Sequence, residues 1–260
     1  MNKIGLVLGA GGARGVAHLG VLQALEENGI KVDIITGCSM GALVGGLYSI
    51  GYKVQELKDL AFSLKKKDIV DVYVKMITHK GLLKGEKIDN WLKKLFGDKV
   101  IQDCKIPFGC VATDLISGKQ LFFKEGDLFT AVRASCAIPT MISPVEYNDA
   151  LLVDGGIINR VPILEAQQLG AKKIIAIDVM GEIRNDRKIS NIFDVALRSI
   201  DTVDYYITKN RLEQNPPDVL VRPDLGSMSQ YKVEKMEFAC QKGYEATIEK
   251  MQEIKALINE

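Results

Sequence analysis

The chain has 260 residues, 47% of them hydrophobic, and a formal net charge of +1 from 34 basic and 33 acidic side chains. That length buries a sizeable core without disulfide staples, and the near-neutral balance gives no reason to expect a nucleic-acid partner. The five cysteines are odd in number and scattered, with no CxxC pair. They are expected to be reduced thiols of a cytoplasmic protein.

The first element is the apolar run "KIGLVL" (3–8), which reads as a strand. The glycine-rich "GAGGARG" (9–15) and the helical pattern "VAHLGVLQALEENG" follow. This start imitates a short signal peptide, but glycines break it at once and Arg14 follows. No stretch of the chain approaches the ~18 apolar residues of a membrane span. Next come a strand, "VDIIT" (32–36), the turn "GCSMG" (37–41) and a small, apolar helix, "ALVGGLYSIG".

Residues 53–99 hold twelve lysines against seven acids. Within them Ile88, Trp91, Leu92, Leu95 and Phe96 recur at helical spacing with lysines opposite. Two readings are open: a surface helix with its apolar face turned inward, or an interfacial helix meeting anionic lipid. Residues 60–100 are a candidate helical cover.

Further strands are expected at 106–114, 119–124, 151–154, 172–179 and 218–223, with a hairpin turning at Ser117-Gly118. Long helices are expected at 189–213 and 229–257, and "NPPD" (215–218) separates helix from strand. Alternating strands and helices, several strands being almost wholly apolar, predict an α/β fold: a mainly parallel central sheet covered by helices on both faces. No internal repeat or linker stands out, so residues 1–260 are read as one domain.

A glycine turn between strand and helix directs several amides at one spot. As a dinucleotide fingerprint it supplies Gly9 and Gly11 but Arg14 in place of the third glycine, and Asp33 opens the second strand rather than closing it. It lacks the lysine of a P-loop. A nucleotide-binding protein using Gly9–Gly15 therefore stands as the weaker alternative.

The segment "GCSMG" is G-x-S-x-G in the setting that motif needs: strand, sharp turn, helix. Ser39 is the candidate nucleophile. Gly37 and Gly41 leave room where side chains would clash, and the helix start turns its positive dipole end toward the serine. A serine attacking an ester carbonyl creates an oxyanion. The amides of Gly11, Gly12 and Ala13, with Met40 as a further donor, are candidates to hold it.

The base is the open question. Only His18 and His79 are available, both early in the chain, and an α/β-hydrolase places its histidine late. A carboxylate is the alternative. In "LLVDGGIINRVP" (151–162) an apolar strand delivers Asp154, and Gly155-Gly156 turn the chain beside it. A strand-end Asp before two glycines is also an ordinary turn. With no histidine partner for Ser39, Asp154 is the candidate base, its pKa raised toward neutrality by burial. Arg14 braces the glycine turn or is a surface arginine. His18 is read as structural, Cys136 as packing, and Asn159 as orienting the turn after Asp154.

Together these motifs resemble the patatin-like phospholipase family, which includes the neuropathy-target-esterase catalytic domains. The resemblance rests on "GAGGARG" with "HLGVL", "GCSMG", "ASCAIP" (134–139), "DGG" (154–156) and "NRVP" (159–162), in that order. It implies a three-layer α/β/α fold, a Ser39–Asp154 dyad and an oxyanion loop at Gly11, Gly12, Ala13 and Arg14. It also implies hydrolysis of phospholipid or lysophospholipid acyl esters with no cofactor, no metal and no calcium. The expected partner is a lipid or other acyl ester, met in the cytoplasm with peripheral contact at the inner face of the membrane. A non-catalytic lipid-binding module on the same fold is the remaining alternative. Oligomeric state is not legible.

Overall fold

The computed structural model describes residues 2–63, 86–139, 141–182, 189–230 and 235–259. Its strands are β1 (Ile4–Leu8), β2 (Ile34–Gly37), β3 (Phe108–Asp114), β4 (Gln120–Phe123), β5 (Val145–Tyr147), β6 (Ala150–Asp154), β7 (Lys173–Ile177) and β8 (Val219–Val221). They form one sheet in the order β5-β6-β3-β2-β1-β7-β8, with β4 paired to β3 outside that path. β3, β2, β1, β7 and β8 run parallel to one another. β4 and β6 run antiparallel to β3.

Side-chain alternation builds two cores on opposite faces of the sheet. Leu6, Leu8, Ile35, Ile175 and Ile177 enter the larger one, while Val7, Ile34, Ile174 and Ala176 enter the smaller. Each such aliphatic side chain, fully buried, stabilises the fold by about 1.5–3 kcal/mol. Helix α1 (Ala17–Glu27), helix α2 (Met40–Ile50) and the helices Met236–Glu249 and Met251–Asn259 cover the larger core. The Ile163–Gln168 helix and Leu212 of the Ile192–Gln214 helix cover the smaller. The result is the expected three-layer α/β/α arrangement.

Three details differ from the sequence reading. β5 was not expected; three residues between Pro144 and a turn at Asn148 (φ 52°) are too few to show a period. The helix expected over 229–257 is two helices, parted at Lys250. The glycine turn tightens into a 3-10 turn over Gly12–Val16 before α1 begins.

The helix Glu86–Phe96 turns its apolar face inward. Leu92 and Phe96 are each 1% exposed, and Ile88, Trp91 and Leu95 pack against the larger core. Lys93 and Lys94 lie on the exposed side. Residues 64–85 of the candidate cover, His79 among them, lie outside the described residues. Among the described residues no helix is long and apolar enough to cross a membrane.

Candidate active site

In a largely parallel sheet the loops beyond the carboxyl ends of the strands gather on one edge, which is where such folds place ligands. β2 ends at Gly37 and α2 begins at Met40, leaving two residues to reverse the chain. Ser39 makes the turn with φ 53° and ψ −122°, a conformation that a side chain rarely adopts. Glycine is required on both sides. A Cβ on Gly37 would stand 2.5 Å from the Gly41 carbonyl oxygen, and one on Gly41 would stand 2.0 Å from that of Leu8.

Both main-chain groups of Ser39 are fixed. Its amide donates to Ser135 Oγ at 3.0 Å. Its carbonyl accepts from the Leu43 amide at 3.0 Å and from the Cys136 thiol at 3.2 Å.

Asp154 closes β6. It sits opposite Ala112 of β3, the strand that also pairs Cys110 with Gly37 of β2. One strand therefore carries the two chain ends into register, and Asp154 and Ser39 meet across it. The Asp154 amide donates to Ala137 O at 2.9 Å, and its Oδ1 accepts from the Gly156 amide at 2.8 Å and from the Cys38 thiol at 3.7 Å. Gly155 packs against β3, where a Cβ would stand 2.4 Å from Val111 O.

Burial raises the Asp154 pKa from 3.8 to about 6; hydrogen bonds from the Ser39 hydroxyl and the Gly156 amide oppose the rise, and Asp204 adds to it. The local walls are apolar, with Ala10, Cys38 and Val111 forming a small cluster beside Phe122.

The glycine turn lies on the same edge. A Cβ on Gly15 would stand 2.5 Å from Met40 Cγ, so the turn rests directly against the residue after Ser39. Its four amides divide into two pairs. Ala13 donates to Gln230 O at 2.8 Å and Arg14 to Gly11 O at 3.0 Å. Neither is open to an oxyanion in this arrangement, which narrows the expected set. The amides of Gly11, Gly12 and Met40 have no partner among the described residues.

The Arg14 side chain is a brace rather than a surface group. Nε donates to Val179 O at 2.8 Å, Nη2 to Met180 O at 3.1 Å, and Nη1 to Met228 O at 3.1 Å.

His18 is tied to the start of the glycine turn. It is buried, its Nε2 pairs with Gly9 O at 2.8 Å, and burial lowers its pKa to about 4, so the ring is neutral. A neutral ring facing a carbonyl donates through Nε2.

Asn159 donates to Gln120 Oε1 at 2.7 Å and Glu165 Oε2 at 3.0 Å, tying the turn after Asp154 to β4 and to the Ile163–Gln168 helix. Here the side chain bonds other side chains, not the backbone of its own turn.

Sequence reasoning missed two contributors. Ser135 lay inside a noted motif, but nothing local names its partner, which is 96 residues away. Gln230 carried no signal at all.

The sequence model of the patatin-like phospholipases matches residues 6–166, which contain the glycine turn, Ser39 and Asp154. An uncharacterized NTE family protein of Mycobacterium tuberculosis is 41% identical over 179 residues, covering 69% of this chain and 49% of that protein. The lysophospholipase NTE1 of Debaryomyces hansenii is 34% identical over 183 residues, covering 68% of this chain and 12% of that protein. The chain thus spans about half the length of the mycobacterial relative and far less of the yeast one. Among solved structures, VipD from Legionella pneumophila superposes with a TM-score of 0.56 at 13% identity, over 98% of this chain and 67% of that one. That likeness concerns the fold alone. With more than half the chain matched and the motifs folded onto one edge of the sheet, the chain belongs to the patatin-like phospholipase family.

Proposed function

We propose that this chain is a serine acyl-ester hydrolase of the phospholipase A or lysophospholipase type, working through Ser39 and Asp154. The observation that carries the reading is a buried carboxyl, its pKa raised to about 6, hydrogen-bonded by a hydroxyl on a strained strand-to-helix turn. Near neutral pH such a carboxyl is ionised yet basic enough to take a proton.

Ser39 Oγ attacks the acyl carbonyl carbon while Asp154 accepts the hydroxyl proton. The carbonyl π electrons move onto oxygen, where the Gly11, Gly12 and Met40 amides stabilise the charge. The tetrahedral intermediate collapses, the acyl–oxygen bond to the leaving alcohol breaks, and Asp154 returns its proton to that alcohol. Water then repeats the sequence on the acyl-serine: Asp154 deprotonates it, the fatty acid leaves, and the proton returns to Ser39 Oγ. No histidine is needed because the carboxyl contacts the nucleophile itself.

The name of the yeast relative supports a lysophospholipid as substrate. We read residues 1–260 as a single catalytic domain of a cytoplasmic protein that meets lipid peripherally.

The nucleotide alternative is disfavoured by the neighbours of the glycine turn. A Cβ on Gly11 would meet Val179 Cγ2 at 2.3 Å and one on Gly12 would meet Gln230 O at 2.4 Å. These glycines admit protein rather than a pyrophosphate.

A fluorophosphonate probe tests the reading. Labelling of the wild type, lost in Ser39→Ala, is the expected result. A folded wild type that neither labels nor hydrolyses any acyl ester would leave the non-catalytic lipid-binding alternative.

A further inference from the structure

The two amides of the glycine turn without a partner among the described residues, those of Gly11 and Gly12, lie between two anchors. Upstream, the Ala10 amide donates to Arg160 O at 3.0 Å; downstream, the Ala13 amide donates to Gln230 O at 2.8 Å. Both anchors lead to one helix, Ile192–Gln214. Arg160 is 2% exposed and its Nε donates to Asp204 Oδ2 at 2.7 Å. Gln230 Nε2 donates to Asp201 Oδ1 at 2.8 Å. Asp201 and Asp204, one turn apart, hold the two ends of the stretch that presents Gly11 and Gly12.

We propose that Gln230, held by Asp201, is a positioning residue for the oxyanion donors. The proposal rests on the acyl-hydrolase reading given above. Its physical content is a division of labour among amides. An amide bonded to a main-chain carbonyl is a poor donor to a substrate, so Gln230 removes Ala13 from the set and pins the turn. Gly12 is left in a left-handed conformation, φ +51°, with the Gln230 carbonyl oxygen 2.4 Å from where a Cβ would be.

Only glycine permits that approach, and only a fixed Gln230 main chain maintains it. The Arg14 guanidinium clamps the carbonyls of Gly226 and Met228 on the same strap. The side-chain bond to Asp201 ties Gln230 itself to the Ile192–Gln214 helix. Without that bond Gln230 is held less firmly, and the Gly11 and Gly12 amides lose part of their fixed aim. Preorganised donors act through fixed orientation, so a modest drift is felt in the transition state and hardly in substrate binding.

The test uses the full chain, a soluble chromogenic butyrate ester and a fluorophosphonate. Gln230→Ala is expected to lower kcat about 10- to 100-fold, below the ~10²–10³ of deleting a donor outright. KM should stay within about twofold, because ground-state binding does not use the oxyanion donors. The phosphonylation rate at Ser39 should fall in parallel while the final number of labelled sites does not change.

Gln230→Glu faces Asp201 with a second carboxylate and should be as impaired. Adding Asp201→Asn restores a hydrogen bond of reversed direction, Asn amide to Glu carboxylate, and should recover most of the loss. A merely structural role would lower the count of labelled sites and leave the rate at each site unchanged, which overturns the proposal. So would an unaltered kcat in Gln230→Ala, or a double variant no better than Gln230→Glu. If Gln230→Ala yields no folded protein, the Glu/Asn pair decides alone. A wild type that fails to label at Ser39 refutes the acyl-hydrolase reading instead.

Discussion

Replacing Asp154 by Asn should abolish turnover and at the same time stabilise the protein, by an amount that depends on pH. The carboxyl is 6% exposed, and its pKa stands at about 6 against 3.8. Between those values the folded state holds a proton that the unfolded state has released. Stability therefore falls as pH rises through this window and does not return above it. A displacement of about two pH units corresponds to about 3 kcal/mol. The wild type carries that penalty in full at pH 8 and little of it at pH 3.5.

Asn has nearly the same shape and still accepts from the Gly156 amide, but it has no such slope. Measured relative to the wild type, Asp154→Asn should gain about 3 kcal/mol between pH 3.5 and pH 8. For a chain of this size that is roughly 6–12 °C in Tm. Calorimetry at the two pH values gives the difference directly. In the wild type, kcat/KM for a soluble ester should rise through an apparent pKa of about 6, because only the ionised carboxyl can accept the serine proton. Equal Tm differences at both pH values, or a variant that still turns over, would refute the electrostatic account of this carboxyl.

Two further expectations concern the nucleophile turn. Ser39→Gly and Ser39→Ala should both be inactive, yet the glycine variant should be the more stable by about 1 kcal/mol. A left-handed φ of 53° strains any side chain by about 1–3 kcal/mol, and the greater chain entropy of unfolded glycine offsets part of the relief. Urea titration of the pair checks the order, and an alanine variant equal or superior to glycine contradicts the strain. Ser135→Ala leaves the buried Ser39 amide without its acceptor and should cost about 1–3 kcal/mol, read in the same titration. Because it loosens the residue that carries the nucleophile, it should also lower kcat more than it raises KM.

The sheet was legible because its strands are apolar runs bounded by turn residues, and because side-chain alternation needs only local sequence. β1, β2, β3, β6, β7 and β8 all fall within a residue or two of their expected positions. The strand-to-helix turn at Ser39 was legible for the same reason: Gly37, Ser39 and Gly41 act on one another over five residues. The glycine turn was legible as a loop, but which of its amides stay open was not. Which amides stay open depends on Gln230, some 217 positions after Ala13, and no local pattern encodes a main-chain carbonyl arriving from so far away. Likewise the lysine-rich 53–99 region showed a helix face but not what it meets; in residues 86–96 that face packs Leu92 and Phe96 into the core.

The absence of a histidine late in the chain explains one more feature of the site. In a Ser–His–Asp triad the acid aims the imidazole, and the imidazole spans the gap to serine. In the proposed Ser39–Asp154 dyad no flexible intermediary takes up an error of placement, so the main chains of both partners must be held against a common body. Three consecutive residues provide it. Ser135 Oγ takes the Ser39 amide, the Cys136 thiol donates to the Ser39 carbonyl, and Ala137 O takes the Asp154 amide. The aim that a triad obtains from a third side chain is obtained here from one short segment at the end of the Leu128–Ser135 helix, bonded to both members of the pair.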